Sequence, residues 1–187
     1  GKARTINELR SDLEFVYSLL PGRHRFSIHA SYADMSGKFV DRDAIAPEQF
    51  KSWVAWAKKL EIAMDFNSTF FSHPKAAGGF TLAHPDKAIR TFWIEHALRC
   101  REISAYIGKE LQSRTIHNLW IPDGSKDITV NRFHHRELLR ESLDTIFAKR
   151  YDPHFMRDSL ESKLFGIGSE SFVVGSHEFY LAYAVKN

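Results

Sequence analysis

The strongest constraint on the fold is a regular alternation of helix and strand patterns along the chain. The first helix pattern begins at Thr5, a capping residue with Glu8 three positions later. Strand patterns recur between helix patterns, near residues 26–30, 62–66, 115–121 and 159–163. The resulting order, αβαβαβαβα, predicts an α/β domain with a parallel sheet covered by helices.

Two architectures fit this order, an open doubly wound sheet and a closed eight-stranded barrel. Dinucleotide binding, which is typical of the first, has little support because Gly166-Ile167-Gly168 lacks the third glycine of the fingerprint. Polar and aromatic residues instead collect at the ends of the strand patterns, where barrel enzymes place their active sites. These residues are His29, Asn67, His73, Trp120, Asp123, Glu161 and Lys163. The distribution favours a (β/α)8 TIM barrel, of which residues 1–187 form a single partial domain with about half the strands.

Composition excludes several classes of function. The chain has 26 Lys and Arg against 23 Asp and Glu, and the basic residues are scattered, so no nucleic-acid partner is expected. Cys100 is the only cysteine, so no intrachain disulfide forms, and a reduced interior thiol indicates the cytoplasm. The sequence has neither the apolar run of a membrane helix nor a signal-peptide pattern at its start, so no membrane partner is expected.

Glu161 and Lys163 are the first candidates for chemistry. Both lie at the end of the strand pattern near residues 159–163, so its alternation places the carboxylate and the ammonium on one face, at the mouth of a barrel. The carboxylate is then a hard oxygen ligand for a divalent ion, and the lysine polarises a substrate oxygen. The alternative is a salt bridge without a catalytic role.

Three further residues have both a functional and a structural interpretation. Trp120, before a Pro-Asp-Gly turn, fits either a flat apolar wall for a sugar ring or the core. His29, at the end of a strand, fits either an acid, base or hydrogen-bond donor, or a satisfied interior histidine. His73 lies on a loop, where function concentrates but solvated histidines are also common. The histidines show no HExxH spacing, so zinc-protease chemistry is not supported.

Several long runs resemble one known family, L-rhamnose isomerase. They are residues 47–56 (PEQFKSWVAW), 66–74 (FNSTFFSHP), 120–124 (WIPDG) and 161–170 (ESKLFGIGSE). The resemblance extends over essentially the whole chain in the same order, and a ten-residue run is far more specific than a three-residue motif.

The resemblance implies a (β/α)8 barrel that interconverts L-rhamnose and L-rhamnulose by a metal-assisted hydride shift. It implies two divalent ions, commonly Mn²⁺, and a homotetramer. It assigns Glu161 to the structural metal, Lys163 and His29 to catalysis and substrate contact, and Trp120 to the sugar pocket. The family's other metal ligands would follow residue 187 and its first strand would precede residue 1, so the chain would contain strands two to five.

Two alternatives remain at this stage. One is a related metal-dependent barrel isomerase acting on another sugar, because the fold alone does not decide function. The other is a non-catalytic piece, because the expected ligands of the catalytic ion are missing and a partial barrel alone is expected to be inactive.

Overall fold

The computed structural model of the chain describes residues 3–163 and 171–187. Its helices are α1 (Ile6–Leu19), α2 (Lys51–Lys59), α3 (Lys87–Leu111), α4 (Arg132–Phe147) and α5 (His177–Lys186). Its strands are β1 (Arg25–His29), β2 (Ala63–Asn67), β3 (Thr115–Trp120), β4 (Gly124–Ser125), β5 (Met156–Glu161) and β6 (Phe172–Val173). The Gly166-Ile167-Gly168 pattern, and with it most of the run at 161–170, lies outside the described residues.

A four-stranded parallel sheet with the order β1-β2-β3-β5 forms the centre of the fold. The strands of this sheet follow one another in the same order in space as along the chain, so the strand order never reverses. A doubly wound sheet reverses its order at the point where its ligand binds. The mixed α/β class and the parallel sheet are therefore as predicted, and the sequential order is consistent with a barrel-type enzyme.

The two faces of the sheet differ in chemistry. One face packs against the helices mainly through apolar side chains (Ile28, Met64, Phe66, Leu119 and Met156), and it also carries the buried His117, which is hydrogen-bonded to Asp158. The other face is polar and carries Arg25, Ser27, Asp65, Asn67, Asn118, Ser159 and Glu161. A sheet covered by helices on both sides is apolar on both sides. This sheet is therefore built to be covered on one side only.

The first two helices pack in the core cluster that contains Ile28 and Phe66, α1 through partly buried side chains and α2 through buried ones. Thr5 and Glu8 form the predicted capping box, which satisfies amide groups at the start of α1. Trp53 and Ala57 of α2 are fully buried in the cluster that also contains Ile28 and Phe66. Pro47 begins a 3-10 turn, Pro47–Phe50, that leads directly into α2.

Gly108 lies near the end of α3, where the sequence predicts that a glycine weakens the helix. The helix pattern in the sequence and α3 in the structure both end at Leu111. Gly108 is buried, and a Cβ placed on it would overlap the carbonyl oxygen of Phe155, just before β5. The glycine therefore allows the helix and the chain leading into β5 to approach closely.

The last parallel strand also differs from the prediction. It occupies Met156–Glu161 rather than residues 159–163, so Lys163 lies beyond the strand. The short antiparallel pair of β4 and β6 was not predicted, because two-residue strands give no periodic pattern. The final helix pattern is confirmed as α5. Among the described residues, no helix is both long enough and apolar enough to cross a membrane.

Candidate functional site

The candidate site lies along the edge where the four parallel strands end. The last residues of β1, β2, β3 and β5 are His29, Asn67, Trp120 and Glu161. His29 pairs in register with Asn67, and Trp120 pairs with Glu161. The structure thus brings three of the four predicted site residues, His29, Trp120 and Glu161, to one edge of the polar face.

A row of hydrogen bonds crosses the polar face just behind this edge. Asn67 Nδ2 donates to Ser27 Oγ at 2.7 Å, and Asn118 Nδ2 donates to Asn67 Oδ1 at 3.2 Å. Asn118 Nδ2 also lies 2.5 Å from Glu161 Oε2, and Ser159 Oγ donates to Asn118 Oδ1 at 2.8 Å. The Glu161 carboxylate is therefore exposed but oriented by an amide on the neighbouring strand.

Aromatic rings line the other part of the edge. Phe71, on the loop after β2, meets Trp120 edge-on with 5.8 Å between ring centroids. It meets His29 in the same manner at 6.0 Å. Trp120 is only partly buried and belongs to neither core cluster. Its surroundings fit a pocket wall better than a core position.

His29 is half-buried beside the loop after β2. Its Nδ1 lies 3.5 Å from Thr69 Oγ1. Burial lowers the pKa of His29, the nearby Glu161 carboxylate opposes that shift, and Arg42 adds to it. His29 is accordingly neutral at pH 7, and a neutral imidazole offers both a donor and an acceptor of hydrogen bonds.

Lys163 has surroundings different from those of Glu161. Its Nζ donates to the carbonyl of Pro122 at 2.8 Å, and only 5% of the residue is exposed. It lines a small cavity with Phe71, Ser72 and Thr81. The argument from strand alternation is wrong at this position, because β5 ends at Glu161 and no longer dictates which way Lys163 points.

Two further polar residues, Asp123 and His73, stabilise the loops near the strand ends. Asp123 is fully buried, and its carboxylate accepts hydrogen bonds from Thr81 N, Thr81 Oγ1 and Ala83 N. Burial raises the pKa of Asp123, and these donors oppose the rise. His73 caps the 3-10 turn Pro74–Ala76, and its Nε2 lies 3.1 Å from Asp41 Oδ1.

Sequence reasoning missed two residues of this edge, Asn118 and Phe71. Asn118 occupies the same face of β3 as Trp120, and the alternation of the strand could have identified it. Phe71 follows Phe70, which is fully buried in the core. No signal in the sequence tells which of two adjacent phenylalanines faces the site.

Glu161 is a suitable oxygen ligand for a divalent cation. Within residues 3–163 and 171–187, no three His, Cys, Asp or Glu side chains come together in a group that could hold a metal ion. The described part of the chain therefore offers one carboxylate at the strand edge rather than a complete metal centre.

The family of the chain follows from comparison with known proteins. The L-rhamnose isomerase (RhaA) family model matches residues 1–187. The chain belongs to the L-rhamnose isomerase family. It is 54% identical over 186 residues to the L-rhamnose isomerase of Rhodopirellula baltica, covering 100% of this chain and 43% of that protein. The Bacteroides thetaiotaomicron enzyme is also 54% identical, with 100% of this chain and 44% of the relative covered.

A Listeria monocytogenes L-rhamnose isomerase is 50% identical over 185 residues, covering 99% of this chain and 44% of that protein. The chain thus spans less than half the length of the curated relatives it matches. These comparisons show the family of the chain as a whole.

Proposed function

We propose that the full-length protein containing this chain interconverts L-rhamnose and L-rhamnulose as an aldose–ketose isomerase. The observation that carries the proposal is that His29, Trp120 and Glu161 lie along one strand edge in a chain of this family. They supply a carboxylate, a neutral imidazole and a flat aromatic wall, three of the groups that a metal-assisted sugar site can use.

We further propose that the four parallel strands are strands two to five of a (β/α)8 barrel. In the described sheet β1 and β5 are both edge strands, and each has one neighbour. The polar face, which the helices leave uncovered, would line the barrel interior. Closure by further strands would pair both edges and place the strand-end residues around one mouth.

The metal proposal starts from Glu161. Its charge and its exposed position at the strand end fit an Mn²⁺ ligand, and the hydrogen bond from Asn118 fits the outer shell that orients such ligands. We propose two divalent ions in the full-length subunit, with Glu161 on the structural ion and the other ligands supplied from beyond residue 187. When bound, these ions act as Lewis acids toward the sugar oxygens.

Residues of this chain would then bind the sugar, stabilise developing charge and exclude water. Neutral His29 would hydrogen-bond the ring oxygen of the sugar during ring opening. The Lys163 ammonium, held by the carbonyl of Pro122, would support negative charge that develops on a substrate oxygen as hydrogen moves between C1 and C2. Trp120 and Phe71 would cover an apolar face of the sugar and exclude water.

We also propose a cytoplasmic homotetramer with a small sugar as its ligand and neither nucleic acid nor membrane as a partner. The fully buried thiol of Cys100, whose pKa is raised by burial to about 12, fits a reducing compartment. The tetramer is proposed from family membership.

The test uses purified full-length enzyme with L-rhamnose and added Mn²⁺, with ketose formation and bound metal as readouts. Glu161→Gln removes a charged ligand at constant size and should lose bound metal and turnover together. Glu141→Gln removes a carboxylate from the exposed side of α4 and should change neither. Unchanged metal in Glu161→Gln, or no turnover of L-rhamnose by the wild-type protein, would contradict the proposal.

A further inference from the structure

The loop after β2, residues 68–73, is held by residues that have no role in the proposed sugar site so far. This segment, called the β2 loop below, carries Thr69, which lies against His29, and Phe71, which lies against both His29 and Trp120. The geometry of the proposed sugar pocket therefore depends on where this loop lies.

A turn in the loop between β1 and α2 forms hydrogen bonds with alternate residues of the β2 loop. This turn consists of Asp41 and the 3-10 segment Arg42–Ala44. The Arg42 guanidinium donates to the carbonyl of Thr69, and its Nη2 donates to the carbonyl of Phe71 at 3.4 Å. Next to it, Asp41 accepts a hydrogen bond from His73 Nε2 at 3.1 Å. Residues 69, 71 and 73 are thus each tied to the same turn.

His96 of α3 joins the turn and the loop from behind. Its Nε2 accepts the Thr69 backbone N–H at 3.1 Å, so its Nδ1 carries the proton and donates to the carbonyl of Arg42 at 3.0 Å. The ring is fully buried between Phe70 and Trp93. Both nitrogens are therefore committed, and only a neutral imidazole with this tautomer satisfies both partners.

We infer that Arg42 and His96 are positioning residues that fix the β2 loop so that Thr69 and Phe71 present His29 and Trp120 to the sugar. The inference rests on the proposed isomerase function. The Arg42 guanidinium and the His96 ring bind backbone atoms of the β2 loop and of the turn, and they act on the site through these contacts. Their loss should displace the pocket wall and leave the metal ligand in place.

The experiment compares KM, kcat, bound metal and melting temperature of the full-length enzyme and its variants. Arg42→Gln shortens the side chain so that it no longer reaches both carbonyls, and His96→Leu removes both hydrogen bonds of the ring. We expect kcat/KM for L-rhamnose to fall about 10- to 100-fold through a rise in KM, with bound metal unchanged. His96→Gln keeps a donor and an acceptor and should recover most of the wild-type KM.

Ile107→Ala is the matched control for a purely structural role. Ile107 is fully buried on the same helix as His96, but it belongs to the core cluster under β1 and β2. Its truncation should lower the melting temperature and leave KM unchanged. If His96→Leu does not fold, Arg42→Gln, at a partly exposed position, decides the question alone.

The outcomes separate the two proposals. Wild-type KM in folded Arg42→Gln and His96→Leu contradicts the positioning role, as does an equal rise of KM in Ile107→Ala. Wild-type enzyme without L-rhamnose turnover contradicts the proposed function and this inference together. Loss of metal in the Arg42 and His96 variants, equal to that in Glu161→Gln, would also overturn the inference. Such a loss would mean that these substitutions disturb Glu161 as well as the β2 loop.

Discussion

Asn118 donates a hydrogen bond to Glu161 across the β3–β5 pair, with 2.5 Å between Nδ2 and Oε2. Asn118 also donates to Asn67 and accepts from Ser159, so its amide is held by both neighbouring strands. The orientation of the Glu161 carboxylate is therefore set by the side chain of Asn118 on the neighbouring strand.

Asn118→Ala should weaken metal binding by the full-length enzyme by about 10- to 100-fold, because a ligand that loses its outer-shell partner is less well oriented. Titration of the metal-free enzyme with Mn²⁺ measures this change. Ser27→Ala, at the far end of the same row of hydrogen bonds, is the control and should have a much smaller effect. Equal affinities of Asn118→Ala and wild type would show that Glu161 needs no such support.

Trp120→Ala should raise KM for L-rhamnose about 10-fold, because it removes an apolar wall beside Phe71 and no ligand. Bound metal should stay at the wild-type level, as measured by elemental analysis. Trp120→Phe keeps an aromatic face and should restore part of the affinity. Metal loss as large as that of Glu161→Gln would contradict this division of roles.

Two buried histidines should make stability depend on pH. Burial lowers the pKa of His96 to about 3, from 6.5, and it also lowers the pKa of His117. Because the unfolded chain takes up these protons first, stability falls as pH drops below 6.5. For His96 alone, the loss between pH 7 and pH 5 is about 2 kcal/mol.

The measurement is urea unfolding of the full-length protein at both pH values. His96→Gln should reduce the pH-dependent loss, whereas His154→Gln, at an exposed position, should not. The Asp158 carboxylate affects stability at lower pH than the two histidines do. Burial raises its pKa, but hydrogen bonds from His117 and Arg101 outweigh burial, so the pKa lies below 3.8. The stability that it contributes is lost only below about pH 4. The same pH dependence in His96→Gln and wild type would refute the assignment.

Gly108→Ala should destabilise the protein by about 1–3 kcal/mol, because the new methyl group would overlap the Phe155 carbonyl. A gain in helix propensity of about 1 kcal/mol acts in the opposite direction. Gly37→Ala is the control, since a Cβ there meets nothing within 4 Å. Thermal unfolding of both variants checks the prediction, and equal melting temperatures would contradict it.

The 187-residue chain expressed alone should not isomerise L-rhamnose. The described residues supply one candidate carboxylate ligand, Glu161, and the edges of β1 and β5 remain open to pairing. We expect self-association, because unpaired strand edges template further pairing. Size-exclusion chromatography and a ketose assay with excess Mn²⁺ test this, and turnover by a monodisperse monomer would contradict it.

The sequence by itself determined the class of fold and most of the candidate site. Local chemistry decided these features: the Thr5 and Glu8 side chains each accept a hydrogen bond from the other residue's backbone N–H at the start of α1, and alternation within short segments indicates where strands lie. Because parallel strands end at one edge, the sequence predicts that His29, Trp120 and Glu161 lie along the same edge, and the structure has them at the ends of β1, β3 and β5.

Only the tertiary structure decided the surroundings of Lys163, Gly108 and His96. Lys163 lies beyond its strand against Pro122, and Gly108 lies under the carbonyl of Phe155. His96 joins Arg42 and Thr69, which are far from it in the chain. Each of these roles is set by partners brought together from separate segments, and a periodic pattern carries information only about near neighbours along the chain.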